Sequence, residues 1–273
     1  MTNPDTASSR ASVLPPITDP TVHAEIDRLA RRYLNAGGIG MDVLNMIGIK
    51  AEFLLDRLPT SVRTRMDRIT LAALNRAFDA ASLSRGLLTE RGDWFNRMLS
   101  TTSGAVGGMA GIAGAALEMP LTITLLLRAI MDIAAEHGID PDSDIARREA
   151  LTVFAAAGPL NSDEGADLAF LAARMSITGQ TVQGLIARVA PKLSASLTQK
   201  LAAQAVPVLG AVAGGAINYS FTRYYQEIAR VNFGLLRMSR ESGLPREALV
   251  EALLLRMEQI RPGSTGEQAR LRA

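Results

Sequence analysis

The chain has 273 residues, 48% of them hydrophobic but only 4% aromatic. That is long for one domain and well suited to helices packed closely through small side chains. Its 29 basic residues, all arginine except Lys50, Lys192 and Lys200, nearly balance 27 acidic ones. A net charge of +2 gives no sign of nucleic acid as a partner. Cysteine is absent, which excludes disulfides, a thiolate nucleophile and cysteine-ligated metals.

Residues 1–20 are rich in Ser, Thr, Pro and Asp, without the basic and apolar regions of a secretory signal, and are expected to be disordered. Asp19-Pro20 then pairs an N-cap with proline at the first helical position. Val22, Ile26, Leu29 and Tyr33 follow at helical spacing as far as Gly37-Gly38. A second helix is expected over Met41 to Leu58, stopped by Pro59. Thr60 is placed to cap a third, with Val62, Met66, Ile69 and Ala73 on one face and Arg63, Arg65, Arg68 and Arg76 mostly elsewhere. A loop is expected around Arg85 to Asp93.

The segment after that loop is unusual. Five glycines occur between Gly104 and Gly114, followed by Glu118-Met119-Pro120 and an uncharged Leu/Ile/Thr stretch ending at Arg128. Glycine in a helix costs about 1 kcal/mol relative to alanine, so this composition implies that another backbone approaches closely. Glu118 and Arg128 bracket the apolar stretch and would be costly there unless paired or at an interface. The expectation is that Glu118 sits at the bend of a helical hairpin, capping the next helix, and that Arg128 meets Asp132 one turn later. A lipid-headgroup or partner contact is the functional alternative for the same two charges.

Asp140-Pro141 repeats the cap-and-proline pattern and is expected to start a helix reaching about Ala157. Ser162-Asp163-Glu164 offers a further cap, with helices over 163–177, 180–206, 208–240 and 245–260 and bends near Pro191 and Pro207. The polar tail 261–273 is expected to be disordered. No strand alternation or hairpin signal occurs. The fold class is all-α: a multi-helix bundle with two Gly/Ala-rich central helical segments, forming a single domain over residues 21–260.

Two windows, Met98–Leu117 and Leu201–Thr222, lack any charge and are long enough to cross a bilayer. Both are poor in the large aliphatic residues that favour insertion. The spacings Gly104/Gly108, Gly107/Gly111 and Gly210/Gly214 put glycines four apart on a helix face, so these two helices are expected to pack together. A buried core, a re-entrant hairpin at a membrane surface and a true span all remain open.

Between Gly165 and Gln226 Asp167 is the only acidic residue, while Arg174, Arg188, Lys192, Lys200 and Arg223 occur. Arg188, Lys192 and Lys200 share a face if a bend at Pro191 allows it, beside an apolar stripe of Leu185, Val189, Leu193, Leu197 and Leu201. With Arg223 they are the candidate contacts for an anionic membrane surface. A solvated face over a core stripe is the plainer alternative.

Chemistry-bearing motifs are sparse. A soluble helical scaffold is one alternative function; His137 lies near Asp132, Glu136 and Asp140, so a hydrolytic or metal-dependent enzyme is the other, yet no nucleophile motif accompanies it. A histidine at a helix end, facing the C-terminal dipole, explains it more simply. Asp140, Asp142 and Asp144 imitate a calcium loop, but Ile145 stands where glycine is needed and Leu151 where the final carboxylate belongs. No phosphate-binding Gly-Lys-Ser/Thr follows the glycines. No catalytic residue, metal site or cofactor is assigned.

The glycine-rich run containing Gly107 and Gly111, then Glu118-Met119-Pro120, Leu126 to Ile130, Ile133-Ala134 and His137 to Asp140, resembles the EcsC protein family. So does the later Val206-Pro207-Val208-Leu209-Gly210 to Gly214-Gly215-Ala216-Ile217-Asn218, followed by Ala229 and Phe233. The resemblance extends over roughly residues 25–260. It implies a bacterial, cytoplasmic accessory or regulatory protein at the inner face of the cell membrane, since the family takes its name from an operon that also encodes an ABC transporter linked to secretion. An anionic lipid surface or an integral membrane protein is then the expected partner. The family usually carries aspartate where Glu118 stands, so a role in charge pairing survives the departure more readily than one needing fixed geometry. The motif residues singled out are Gly107, Gly111, Glu118, Pro120, Arg128, Asp132, Pro207, Gly210, Gly214 and Asn218.

Overall fold

The structure, a computed structural model, describes residues 15–36, 60–87, 111–156, 181–204 and 210–260. The expected helices at Met41–Leu58 and 163–177, the terminal segments 1–14 and 261–273, Gly107 and Pro207 lie outside the described residues. So do the side chains of 111–119 and 210–218, and with them the expected glycine-to-glycine contact.

The described residues form seven α-helices and no strand: α1 (Pro20–Ala36), α2 (Thr60–Leu87), α3 (Gly111–Glu136), α4 (Asp144–Phe154), α5 (Val182–Gln204), α6 (Gly210–Ser242) and α7 (Arg246–Ile260). The fold is an all-α bundle. Helix α6 packs against α1, α3, α4, α5 and α7, while α2 lies against α3 and α5.

Helix α1 begins as its sequence dictates. The Asp19 carboxylate accepts hydrogen bonds from the Thr21 amide at 2.8 Å and the Thr21 hydroxyl at 2.7 Å, which hold its pKa below the usual carboxylate value. Val22, Ile26, Leu29, Ala30, Tyr33 and Ala36 form the buried face. Helix α2 buries Met66, Ala73, Leu74, Ala77 and Phe78. It continues to Leu87, so Arg85 and Gly86 are helical rather than in the expected loop.

Helix α3 runs unbroken through Pro120, and Glu118 therefore lies inside a helix rather than at a hairpin bend. Proline removes one backbone hydrogen bond. Burial of Ile123, Leu126, Leu127, Ile130, Met131, Ile133 and Ala134 along the following turns keeps the helix in place. It ends at Gly138, whose φ of 71° lets the Ile139 amide reach back to the Ala134 carbonyl at 3.0 Å.

The start of α4 also differs from expectation. Asp140-Pro141-Asp142-Ser143 is a turn, closed by the Ser143 amide on the Asp140 carbonyl at 3.1 Å. The Asp140 carboxylate accepts from the Asp142 amide at 3.0 Å, and Ser143, not Asp140, caps the helix by accepting from the Ala146 amide at 3.2 Å. Asp-Pro serves both as a helix start and as the first half of a turn, and here the turn wins.

Ion pairs fix how the helices dock. Arg32 meets Glu227 at 2.9 Å and Arg237 meets Glu25 at 3.3 Å, so α1 lies antiparallel on α6. Arg256 Nε binds Asp27 at 2.6 Å and ties α1 to α7. Hydrogen bonds from Arg31 and Arg256 hold the Asp27 carboxyl below its ordinary pKa. A further network joins three helices: Arg246 of α7 grips the Glu149 carboxylate of α4 with both terminal nitrogens, and Asn232 of α6 donates to Glu149 Oε2 at 2.7 Å. The Arg246 guanidinium also donates to the Asn232 carbonyl at 3.1 Å.

Candidate functional site

Helix α5 carries no carboxylate along its whole length. Thr181 caps it, accepting from the Gly184 amide at 3.2 Å, and the stripe Leu185, Val189, Leu193 and Leu197 is buried. The opposite face is smooth and cationic: Gln183, Gly184, Ala187, Arg188, Pro191, Lys192 and Ala195 are exposed. Arg188 and Lys192 thus stand together, one turn apart.

Lys200 does not join them. It is 7% exposed, in a stretch where Ser194, Ser196, Leu197 and Thr198 are also buried. Twelve residues exceed three helical turns by enough to rotate Lys200 roughly 120° from Arg188. Helix α5 runs through Pro191 as one continuous element, and Lys200 is buried on it while Arg188 and Lys192 are exposed. Arg223 is exposed on α6, where it donates to the hydroxyl of Tyr219, itself 53% exposed, at 3.2 Å.

Among the motif residues, Arg128 is 5% exposed and its Nε lies 3.9 Å from Asp132 Oδ2, the expected pairing one turn along α3. Pro120 is exposed. Gly111, Glu118, Gly210, Gly214 and Asn218 all lie within helices.

The structure adds cations that the sequence reading passed over. On α2, Arg65 and Arg68 are exposed, and with Ile69 and Ala72 they line a groove of about 480 Å³. Among the described residues no hydrogen bond or ion pair reaches Arg65, Arg68, Arg188 or Lys192. The arginines of α1 and α7 contrast with them: Arg28, Arg31, Arg32, Arg246 and Arg256 each hold a carboxylate. The signal was present in the sequence. None of the four cations has an acidic residue three or four positions away, whereas Arg28 has Glu25 and Arg31 has Asp27. Since α2 packs directly on α5, the uncompensated cations lie on neighbouring helices.

Of the groups considered for catalysis, His137, Asp132 and Asp140 are engaged structurally. His137 Nδ1 donates to the Ile133 carbonyl at 2.8 Å, and its ring centroid lies 6.3 Å from that of Phe233. Asp140 is held in its turn. Among the described residues no three His, Cys, Asp or Glu side chains are placed to hold a metal. No described helix is long and apolar enough to cross a membrane.

These features define a helical bundle with exposed cations, lacking a partner among the described residues, on two adjoining helices. The chain belongs to the EcsC protein family, whose model matches residues 62–237. That span runs from early α2 to late α6, and so includes both cationic helices. No curated protein and no solved structure is detectably similar to the chain.

Proposed function

We propose that this protein is a membrane-associated accessory or regulatory protein that binds anionic lipid at the inner face of the cell membrane through α2 and α5. The observation that carries this reading is the set of exposed cations on α2 and α5 that have no carboxylate partner among the described residues, Arg65, Arg68, Arg188 and Lys192. An unpaired cation near an anionic leaflet contributes about 1 kcal/mol. Four together supply roughly 4 kcal/mol, which corresponds to millimolar, reversible attachment that salt weakens. Small exposed residues such as Gly184, Ala187 and Ala195 leave the α5 surface low enough for headgroups to approach.

Flotation with phosphatidylglycerol vesicles tests this directly. Binding at low salt, loss at high salt and no binding to phosphatidylcholine are the expected results. Equal partition to both lipids, or failure to float with either, overturns the reading. In cells, release from the membrane pellet by a salt wash is the matching result.

A membrane-protein partner, such as a component of an ABC transporter, is the second reading. The exposed Tyr219–Arg223 pair favours it, because tyrosine and arginine are the residues that most often anchor protein interfaces. Site-specific photocrosslinking from position 219 in cells distinguishes it, through a crosslink to one integral membrane protein.

A further inference from the structure

We infer that the α2 groove is a discrete site for a single anionic amphiphile: a phosphate monoester carrying an alkyl chain, the chemistry of phosphatidic acid. This inference rests on the membrane reading for the source of the ligand and goes beyond it in assigning one bounded site. Arg65, Arg68, Ile69 and Ala72 occupy positions i, i+3, i+4 and i+7 of α2, so they share one surface of the helix. Arg65 and Arg68 line the groove, and neither is bound to a carboxylate among the described residues. Arginine presents a planar fork of donors that matches a phosphate bidentately.

The rest of the lining is apolar. Ile69 is half-buried against the core and Ala72 contributes only a methyl group, which leaves the depression beside the two arginines. A volume of about 480 Å³ lies in the range of small-molecule sites and exceeds what a bare phosphate would fill. Two arginines beside an isoleucine and an alanine in one open depression fit a ligand with a charged head and an apolar tail.

The test is calorimetric titration of the full chain with dodecyl phosphate below its micellar concentration. Inorganic phosphate and the uncharged dodecyl maltoside serve as comparison ligands. Saturable one-site binding is expected for dodecyl phosphate alone. Arg65→Gln and Arg68→Gln should each weaken it about tenfold, the worth of one charge-assisted hydrogen bond. Ala72→Phe should abolish binding with both charges intact, and Arg240→Gln, at an exposed arginine late in α6, should leave it unchanged. The inference is overturned by absence of saturable binding, by insensitivity to the arginine changes, or by equal affinity for inorganic phosphate or dodecyl maltoside. Glutamine is a good helix former at exposed positions, so unchanged helical circular dichroism separates lost binding from lost folding. Failure of vesicle flotation with this titration intact overturns only the broader membrane reading; the reverse result overturns only the site.

Discussion

Leu29 of α1 rests on the backbone of α6 at Gly234, where a Cβ would stand 3.1 Å from Leu29 Cδ2. The contact lies between the Arg237–Glu25 and Arg32–Glu227 pairs, which hold α1 against α6 on either side of it. A side chain at this point is accommodated only if Leu29 gives by a few tenths of an ångström. Gly234→Ala gains about 1 kcal/mol of helix propensity against a modest clash, and is expected to change stability by no more than about that amount. Gly234→Leu gains similar propensity but overfills the contact, and should lose about 1–3 kcal/mol. Leu29→Ala in the Gly234→Leu background should recover part of the loss. Urea unfolding of the parent, Leu29→Ala, Gly234→Leu and the double variant reads this non-additivity directly.

Glu149 and Arg246 make the tightest link between distant parts of the chain. Both side chains are largely buried, and Asn232, 1% exposed, completes the network. Arg246→Met leaves the Glu149 carboxylate with Asn232 as its remaining side-chain partner in this network. The expected cost is about 2–3 kcal/mol, the scale of a lost hydrogen bond to a buried charge. Adding Glu149→Gln to Arg246→Met should restore part of the stability, because the stranded charge is then gone. A double-mutant cycle by urea unfolding checks the sign: an additive result would mean that the two groups act independently.

The boundary at α4 gives a local test. Ser143→Ala removes the hydroxyl that accepts from the Ala146 amide and should cost about 1 kcal/mol. Asp140→Ala removes the side-chain bond from the Asp142 amide but leaves the cap in place, so its effect should be smaller. Thermal unfolding of the two variants under one buffer condition decides the order. A larger loss at Asp140 would restore it as the helix cap.

That boundary also marks the limit of what the chain discloses locally. The α1 start was legible because Asp19-Pro20 is followed at once by Val22, Ile26 and Leu29 at helical spacing, so cap and core face agree. Asp140-Pro141 has the same two residues, but Ser143 three positions later competes for the capping role, and tertiary packing settles the choice. Pro120 invited a break that the apolar run from Ile123 to Ala134 overrides. The Arg128–Asp132 pair was readable because it spans one turn. Arg32–Glu227, Arg237–Glu25 and Arg256–Asp27 were not, since nothing local specifies which remote carboxylate an arginine will meet. The candidate surface was legible at Arg188 and Lys192 and misjudged at Lys200, where rotation along the helix and the covering of its second half decide. Arg65 and Arg68 are marked in the sequence only by the absence of acidic residues three or four positions away, a weaker signal than an apolar stripe.

Tyr225 supplies an alkaline signature of the intact core. Its ring meets Phe154 edge-on at 5.6 Å and Tyr224 at 5.3 Å. Burial pushes its phenol up to about 12, offset in part by the neighbouring Ser196 hydroxyl. The folded protein thus favours the neutral phenol, whereas an unfolded tyrosine ionises near 10. This contribution to stability is fully present below about pH 10 and is lost as the pH rises toward about 12, amounting to roughly 2–3 kcal/mol. Tyr225→Phe keeps both ring contacts and removes the titrating group. Its unfolding free energy should fall less steeply than that of the parent between those pH values, and the phenolate absorbance of the parent should rise together with loss of helical circular dichroism. Parallel pH profiles for the two proteins would mean that Tyr225 ionises without opening the core between α4, α5 and α6.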